Sequence, residues 1–263
     1  AIGSGARATQ ATPVSGKDAF AIGTQASVNE DSAYAIGKNA TSTADSGYAI
    51  GNTAASRKAN SFAIGSNANT NGINAYALGN TASATDESAV AIGTSAAASK
   101  QDTTAIGSNA AASAQDAIAF GRGSIASEQG AIAFGQGAKA TANANDVALG
   151  TGSRTDAVVN TANATIDKNT YIYAGTNASS TVSVGTATNK RTVTNVAAGR
   201  VSVDSTDAIN GSQLFGTNQA VNALANNLDT AGQSVANSLG GTSAYNATTH
   251  QVTAGLRANG NTY

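Results

Sequence analysis

The stretch SAYAIGKNATSTADSGYAIGNTAASRKANSFAIG, residues 32–65, states one phrase three times: a large ring, alanine, isoleucine, glycine. The glycines that close the phrase are Gly37, Gly51 and Gly65, 14 residues apart. Working outward, the same phrase ends at Gly23 on one side and at Gly79, Gly93, Gly107, Gly121 and Gly135 on the other. Gly150 follows after 15 residues, and Gly3 precedes Gly23 by 20. The six extra residues near the start hold the only proline, Pro13, and read as a turn at Ser15-Gly16. A fixed period sustained over this length is the mark of a stacked repeat architecture.

Within each phrase, residues two apart share one face of a strand. One face then carries large residues, Phe20 with Ile22, Phe62 with Ile64, and in turn Ile36, Ile50, Leu78, Ile92, Ile106, Phe120, Phe134 and Leu149. The other face carries alanine, as at Ala21, Ala35 and Ala49. We expect the large row to line the interior of a roll and the small face to meet copies of the same chain. Tyr34, Tyr48 and Tyr76 share the phase of Phe20 and Phe62, which favours the interior over a binding ladder. After each glycine come a turn, a short alternation of small residues such as Ala82-Ser83-Ala84, and a second turn rich in Asp, Asn and Ser. Fourteen residues are too few for a β-α-β crossover. They suit one coil of a mainly β, flattened solenoid with two strands per coil. An amphipathic helix fits poorly, because glycine recurs and β-branched and aromatic residues sit at i and i+2.

Composition points the same way. The chain has 263 residues, 11% charged and 5% aromatic, with no Cys, Met or Trp. Alanine and serine bring little area to bury, so one chain makes a thin core and needs cover from others. The net charge of −1 gives no basic footprint for nucleic acid. Zero cysteine excludes disulfides and thiolate metal sites. The chain begins inside a repeat, and we read it as a piece of a longer protein.

Residues 1–150 form the repeat head, and residues 151–181 an insertion without the period. Inside the insertion, ATIDKNTYIYAG reads as a hairpin about Asp167-Lys168-Asn169, with Ile166, Tyr171 and Tyr173 as packing candidates. Residues 182–215 begin strand-like, and Ser205, Thr206 and Asp207 offer helix caps. Over 216–239 the heptad-spaced Val221, Leu228 and Val235, in phase with Leu214 and joined by Leu224, form a short coiled-coil seam. Residues 240–263 read as the start of a further β module.

The AIG phrase at 14-residue spacing, TNVAAG at 194–199 and DAINGSQL at 207–214 together resemble the trimeric autotransporter adhesins of Gram-negative bacteria. The resemblance implies a left-handed parallel β-roll head that trimerises. It implies a neck over 182–215, with Asn195, Gly199, Asp207, Asn210, Gly211, Gln213 and Leu214 as its motif, and a three-stranded stalk. It implies display on the bacterial surface by an outer-membrane barrel outside this segment, the membrane being reached through that anchor alone. The neck departs from the family pattern at Ile209, where Val is usual, and at Lys190, where Glu often precedes the arginine.

Little in the sequence carries chemistry. His250 is the sole histidine and has no cysteine partner; a solvated loop residue is the expectation. Asp45, Asp86 and Asp116 read as turn residues, and GRGS at 121–124 lacks the lysine of a phosphate loop. No catalytic, metal or cofactor residue is expected, and no cofactor. Arg57, Lys58, Lys100 and Lys139 fall in outer turns and read as solvated. The expected function is adhesion to host matrix or abiotic surfaces, and cell-cell aggregation, by many weak contacts. The second reading is a rigid spacer that projects another adhesive module. An acyltransferase solenoid needs six-residue rungs, and an ice-binding one a flat threonine array; neither fits.

Overall fold

The computed structural model describes residues 1–8, 18–166, 168–255, 257–258 and 261–262. The proline insertion and the central hairpin residue Asp167 lie outside them. The chain divides into two compact units: 1–171 with 175–192, and 172–174 with 193–263.

The first unit is a parallel β-solenoid. Each coil supplies a three-residue strand, such as Tyr34–Ile36, and a two-residue strand, such as Thr41–Ser42. The long strands stack into an 11-stranded sheet and the short ones into a 10-stranded sheet. Every step pairs equivalent residues one period apart: Tyr34 with Tyr48, Ala35 with Ala49, Ile36 with Ile50. Two left-handed bends turn each coil, at Asn39 (φ 57°) and Ser46 (φ 52°) in one and at Asn67 (φ 57°) and Asn74 (φ 56°) in another. Asparagine tolerates this conformation better than most residues. The motif glycine is required by proximity as well as by torsion. At Gly65 (φ +136°) an added Cβ would lie 2.3 Å from the Gly79 carbonyl oxygen of the next coil.

The interior reverses the expected facing. Ala33, Ala35, Ala40 and Ser42 of one coil are fully buried, and the same four positions are buried coil after coil. The large row points out of the roll. Phe20 is 42% exposed, Leu78 47%, Phe120 42%, Phe134 48% and Leu149 47%, while Ile22, Ile36, Ile50, Phe62, Ile64, Ile92 and Ile106 are half-buried. Tyr34, Tyr48 and Tyr76 stand outside with them. The reason is the width of the coil. Side-chain-filled sheets pack about 10 Å apart. A coil of two very short strands joined by tight bends leaves room between its walls for methyl and hydroxyl groups only.

Where hydroxyls enter that interior they bond to one another. Ser56 Oγ and Ser61 Oγ lie 2.7 Å apart, Thr70 Oγ1 donates to Ser61 Oγ at 3.0 Å, and Ser42 Oγ donates to the Gly47 carbonyl at 2.9 Å. No buried side-chain polar atom among the described residues lacks a partner. That is the condition for hydroxyls to replace alanine in a core at small cost.

The roll does not end at its last repeat. Val182–Ser183 pairs in parallel with Val147–Leu149 as the final strand of the long-strand sheet. Residues 151–155 still complete a rung, Arg154 bridging Lys139 in parallel, and residues 156–181 then leave the roll and return to it. Within them Asn163–Ile166 and Asn169–Ile172 form the expected hairpin. Ile166, Tyr171 and Tyr173 are 60%, 50% and 43% exposed within one chain. At the return point Asp146 takes the place of the small residue found in earlier coils, such as Ala117 and Ala131. It is fully buried; the Thr181 amide donates to Oδ1 at 2.7 Å and the Asn143 amide to Oδ2 at 2.9 Å. Burial opposes its charge, but the Thr181 amide, the Thr155 hydroxyl and both donors of Asn143 outweigh it and hold the carboxyl below its ordinary range.

The second unit is built on the helix Gly211–Leu239. The helix starts from Asn210 and not from Ser205, Thr206 or Asp207. Asn210 and Gln213 make a reciprocal capping box, and only a residue three positions before a glutamine can do so. After Gly240, an antiparallel hairpin pairs Ala244–Asn246 with Gln251–Thr253. Its Tyr245 ring lies over Gly232, where a Cβ would stand 2.2 Å from the ring.

Candidate functional site

The outward row of the long-strand sheet is the most distinctive surface. In-register pairing stacks like on like one rung apart. Tyr34 and Tyr48 have ring centroids 4.8 Å apart, Tyr48 and Phe62 4.6 Å, and Phe62 and Tyr76 5.0 Å, all stacked within 5° of parallel. Phe120 and Phe134 repeat the stack at 4.9 Å in the neighbouring column. Between the columns lies an apolar groove of about 310 Å³ lined by Phe62, Ile64, Tyr76, Leu78, Val90 and Ile92. An apolar strip of this extent marks an interaction surface or a binding groove.

The turns and bends of the roll are mostly polar. Arg57, Lys58 and Lys100 are exposed in or beside turns, and the Arg57 guanidinium donates to Asn69 Oδ1. Lys139 departs from expectation: it sits in the short strand Lys139–Ala140, half-buried. Turn side chains bond from coil to coil, as Thr81 Oγ1 does with Ser95 Oγ at 2.9 Å.

The neck motif residues find partners within one chain. Gly199 and Gln213 bond twice, the Gly199 amide to Gln213 Oε1 at 2.9 Å and Gln213 Nε2 to the Gly199 carbonyl at 2.7 Å. Asn210 Nδ2 donates to the Val196 carbonyl at 3.1 Å. Asp207 receives Arg200 Nε at 2.8 Å and Nη2 at 3.1 Å, and that guanidinium holds its carboxyl below the usual range. Asn195 takes a left-handed φ of 61°. Gly211 opens the helix, and a Cβ there would meet nothing within 4 Å. A Cβ at Gly199, by contrast, would lie 2.3 Å from the Ala208 carbonyl.

Leu214 joins the seam of the helix. It is 58% exposed, with Val221 at 59%, Leu224 at 68%, Leu228 at 49% and Val235 at 51%. Within one chain these residues remain about half exposed or more.

His250 is less isolated than the sequence suggests. Tyr245 Oη donates to Asp229 Oδ1 at 2.5 Å, and His250 Nδ1 lies 2.9 Å from Tyr245 Oη and 3.0 Å from Asp229 Oδ1. Burial and the Asp229 carboxylate push the tyrosine up to about 12, which is the opposite of nucleophile activation. The signal missed was local: Asp229 and Gly232 lie one turn apart, so one tyrosine can stack on the glycine and reach the carboxylate.

Residues 15–40, 42–68, 71–96, 98–124 and 126–153 match the family model of the YadA head domain repeat, which spans two copies. Residues 192–237 match that of the coiled stalk of trimeric autotransporter adhesin. The autotransporter adhesin BtaE of Brucella suis is 57% identical over 74 residues, 28% of this chain and 10% of that protein. The autotransporter adhesin BadA of Bartonella henselae is 48% identical over 56 residues, 21% of this chain and 2% of that protein. The chain thus aligns with a tenth or less of these relatives. Among solved structures, the collagen-binding domain of the Yersinia adhesin YadA aligns over 76% of this chain and 86% of its own at 26% identity, TM-score 0.48. A C-terminal YadA-like domain from Burkholderia pseudomallei aligns over 46% and 56% at 48% identity, TM-score 0.44.

Proposed function

The chain belongs to the trimeric autotransporter adhesins with YadA-type head repeats, and from that premise we propose that three copies assemble side by side along the outward aromatic row. Each roll winds left-handed, and the assembly is displayed on the cell surface by an anchor elsewhere in the parent protein. The observation that carries this reading is the uncovered stack of Tyr34, Tyr48, Phe62 and Tyr76 beside a row of half-buried isoleucines. Water contact with so much apolar surface is unfavourable by about 25 cal/mol per Å². A second and third copy of the same face relieve it symmetrically. The exposed seam at Leu214, Val221, Leu224, Leu228 and Val235 supports the same three-fold arrangement in the stalk. The division into a head to 150, an insertion to 181, a neck to 215 and a stalk to 239 follows this assembly, with the neck motif tying the chain to the helix start.

The remaining polar faces of the head then point outward in triplicate, and adhesion to host matrix or abiotic surfaces follows from many weak non-covalent contacts. No bond chemistry is involved. The second reading, a rigid spacer, is favoured by the hairpin that follows the helix, since the fold continues past the stalk segment. Beads coated with the assembled 263-residue chain separate the two. Adhesion to collagen, fibronectin or laminin above that of bare beads supports the adhesive head; adhesion equal to bare beads supports the spacer.

A further inference from the structure

The dipeptide Asn-Gly occurs at Asn71-Gly72, Asn210-Gly211 and Asn259-Gly260. The last lies outside the described residues, and the first two are held very differently. Asn71 follows the short strand Asn69–Thr70, and its amide donates to the Ala84 carbonyl of the next coil at 2.9 Å. Thr70 points inward, so alternation places Asn69 and Asn71 on the outer side of the short-strand wall. That wall lies across the roll from the aromatic row, so the assembly proposed along the row leaves it uncovered. Asn71 is exposed, its carboxamide has no partner among the described residues, and neither has the Gly72 amide. Packing demands the glycine: a Cβ at Gly72 would lie 1.8 Å from the Asp86 carbonyl oxygen of the next coil. Asn210, by contrast, is locked. Its Oδ1 accepts from the Ser212 hydroxyl at 2.7 Å and the Gln213 amide at 3.3 Å, and its Nδ2 donates to the Val196 carbonyl at 3.1 Å. An asparagine reacts with the next residue by turning its Cγ onto that residue's amide nitrogen, and a following glycine leaves the approach open.

We propose that Asn71-Gly72 is a self-modification site, where the carboxamide becomes a carboxylate without an enzyme, and that the bonds of Asn210 protect Asn210-Gly211 from the same reaction. The Gly72 nitrogen loses its proton to solvent base and attacks Asn71 Cγ. The new N–Cγ bond closes a five-membered imide, and the Cγ–Nδ2 bond breaks. The leaving nitrogen departs as ammonia, with its own two hydrogens and one returned by solvent. Water then opens the imide. Cleavage at Cγ gives aspartate; cleavage at the backbone carbonyl gives isoaspartate, in which the main chain runs through the former side chain. Isoaspartate adds a methylene to the backbone just before the Asn74 amide, whose bond to the Ala59 carbonyl at 3.1 Å holds the bend to the preceding coil. Either product puts a negative charge one rung from Arg57, which occupies the equivalent position one period earlier. The reaction is independent of the adhesive reading, and an inert Asn71 leaves the bead result intact.

The test is ageing of the assembled 263-residue chain near neutral pH in water labelled with heavy oxygen, followed by peptide mapping in a mass spectrometer. The same chain unfolded in urea is aged beside it. In the folded chain we expect residue 71 to take up the label and to yield both aspartate and isoaspartate, faster as pH rises. Residue 210 must first break its three bonds, which slows it about a hundredfold relative to residue 71. In the unfolded chain the two pairs convert at similar rates. Asn71→Gln removes the label at that position, and Ser212→Ala, which frees one bond of Asn210, speeds conversion at residue 210. The proposal is overturned by any of three results: residue 71 of the folded chain still amidated when the unfolded chain has converted, residues 71 and 210 converting at one rate in the folded chain, or conversion at residue 71 indifferent to pH.

Discussion

Tyr48 and Phe62 stack face to face on the outside of the roll, their centroids 4.6 Å apart and their planes 4° from parallel. The stack is set by the 14-residue register that pairs Tyr48 with Phe62 in the ladder. It is therefore a property of one chain, while its burial rests on the proposed assembly of several.

Ile64 lies beside that stack, half-buried in one chain. Ile64→Asp is expected to leave the β-spectrum of the head intact and to dissociate the assembly. A buried unpaired carboxylate costs several kcal/mol at an interface, and in the free chain the same group reaches water. Sedimentation together with circular dichroism reads both quantities. Loss of the β-signal with retained assembly would return the isoleucine row to the interior.

Gly65→Ala places a methyl group 2.3 Å from the Gly79 carbonyl oxygen at a φ of +136°. Backbone strain of this kind costs about 1–3 kcal/mol before the clash is counted. The head should melt well below the parent. Thr53→Ala, in a neighbouring bend, removes only exposed hydroxyl bonds and should shift the melting point far less.

Asp146 links stability to pH. Its folded carboxyl titrates below its unfolded value of 3.8, so its contribution is complete above about pH 4 and is lost as pH falls through the folded value. Asp146→Ala leaves the amides of Thr181 and Asn143 without their acceptor, at a cost of about 1–3 kcal/mol near neutral pH. Melting curves at pH 7 and pH 2.5 should show the variant's deficit shrinking in acid. An equal deficit at both would remove the carboxylate from the account.

Asn210→Ala removes the helix cap and the bond to the Val196 carbonyl. Loss of such a cap costs about 0.5–2 kcal/mol. Thermal loss of the helical signal should come earlier in this variant, while Ser205→Ala, outside the cap, should match the parent.

Much of this architecture can be read in the glycines. Their spacing gives the coil, the strands and the in-register pairing, and the heptad from Leu214 to Val235 gives the helix. Facing is harder to read. Alternation separates a large row from a small row, but does not say which is inside, and ordinary experience puts large residues inward. The deciding quantity is the gap between the two walls, which follows from the tightness of bends such as Asn39 and Ser46. The helix start was hidden for a different reason. Ser205, Thr206, Asp207 and Asn210 are all competent caps, and only the return bond from Gln213 distinguishes Asn210. The Arg191 guanidinium donates to Ser153 Oγ and to the Thr151 carbonyl, 38 and 40 positions away, and no local pattern announces it.

The step of 15 residues from Gly135 to Gly150 shows how strictly the winding is kept elsewhere, since its surplus residue falls in the bend around Asn143–Asp146 while Phe134 still pairs with Leu149. Length in such a molecule is quantised. Duplication or deletion of a whole turn inserts or removes one rung of about 4.8 Å and leaves both flanking ladders matched, whereas a shift of a single residue inside a strand would rotate every downstream side chain to the wrong wall. Unequal recombination within the gene can therefore set how far the tip stands from its base in discrete increments, without the need to evolve a new fold.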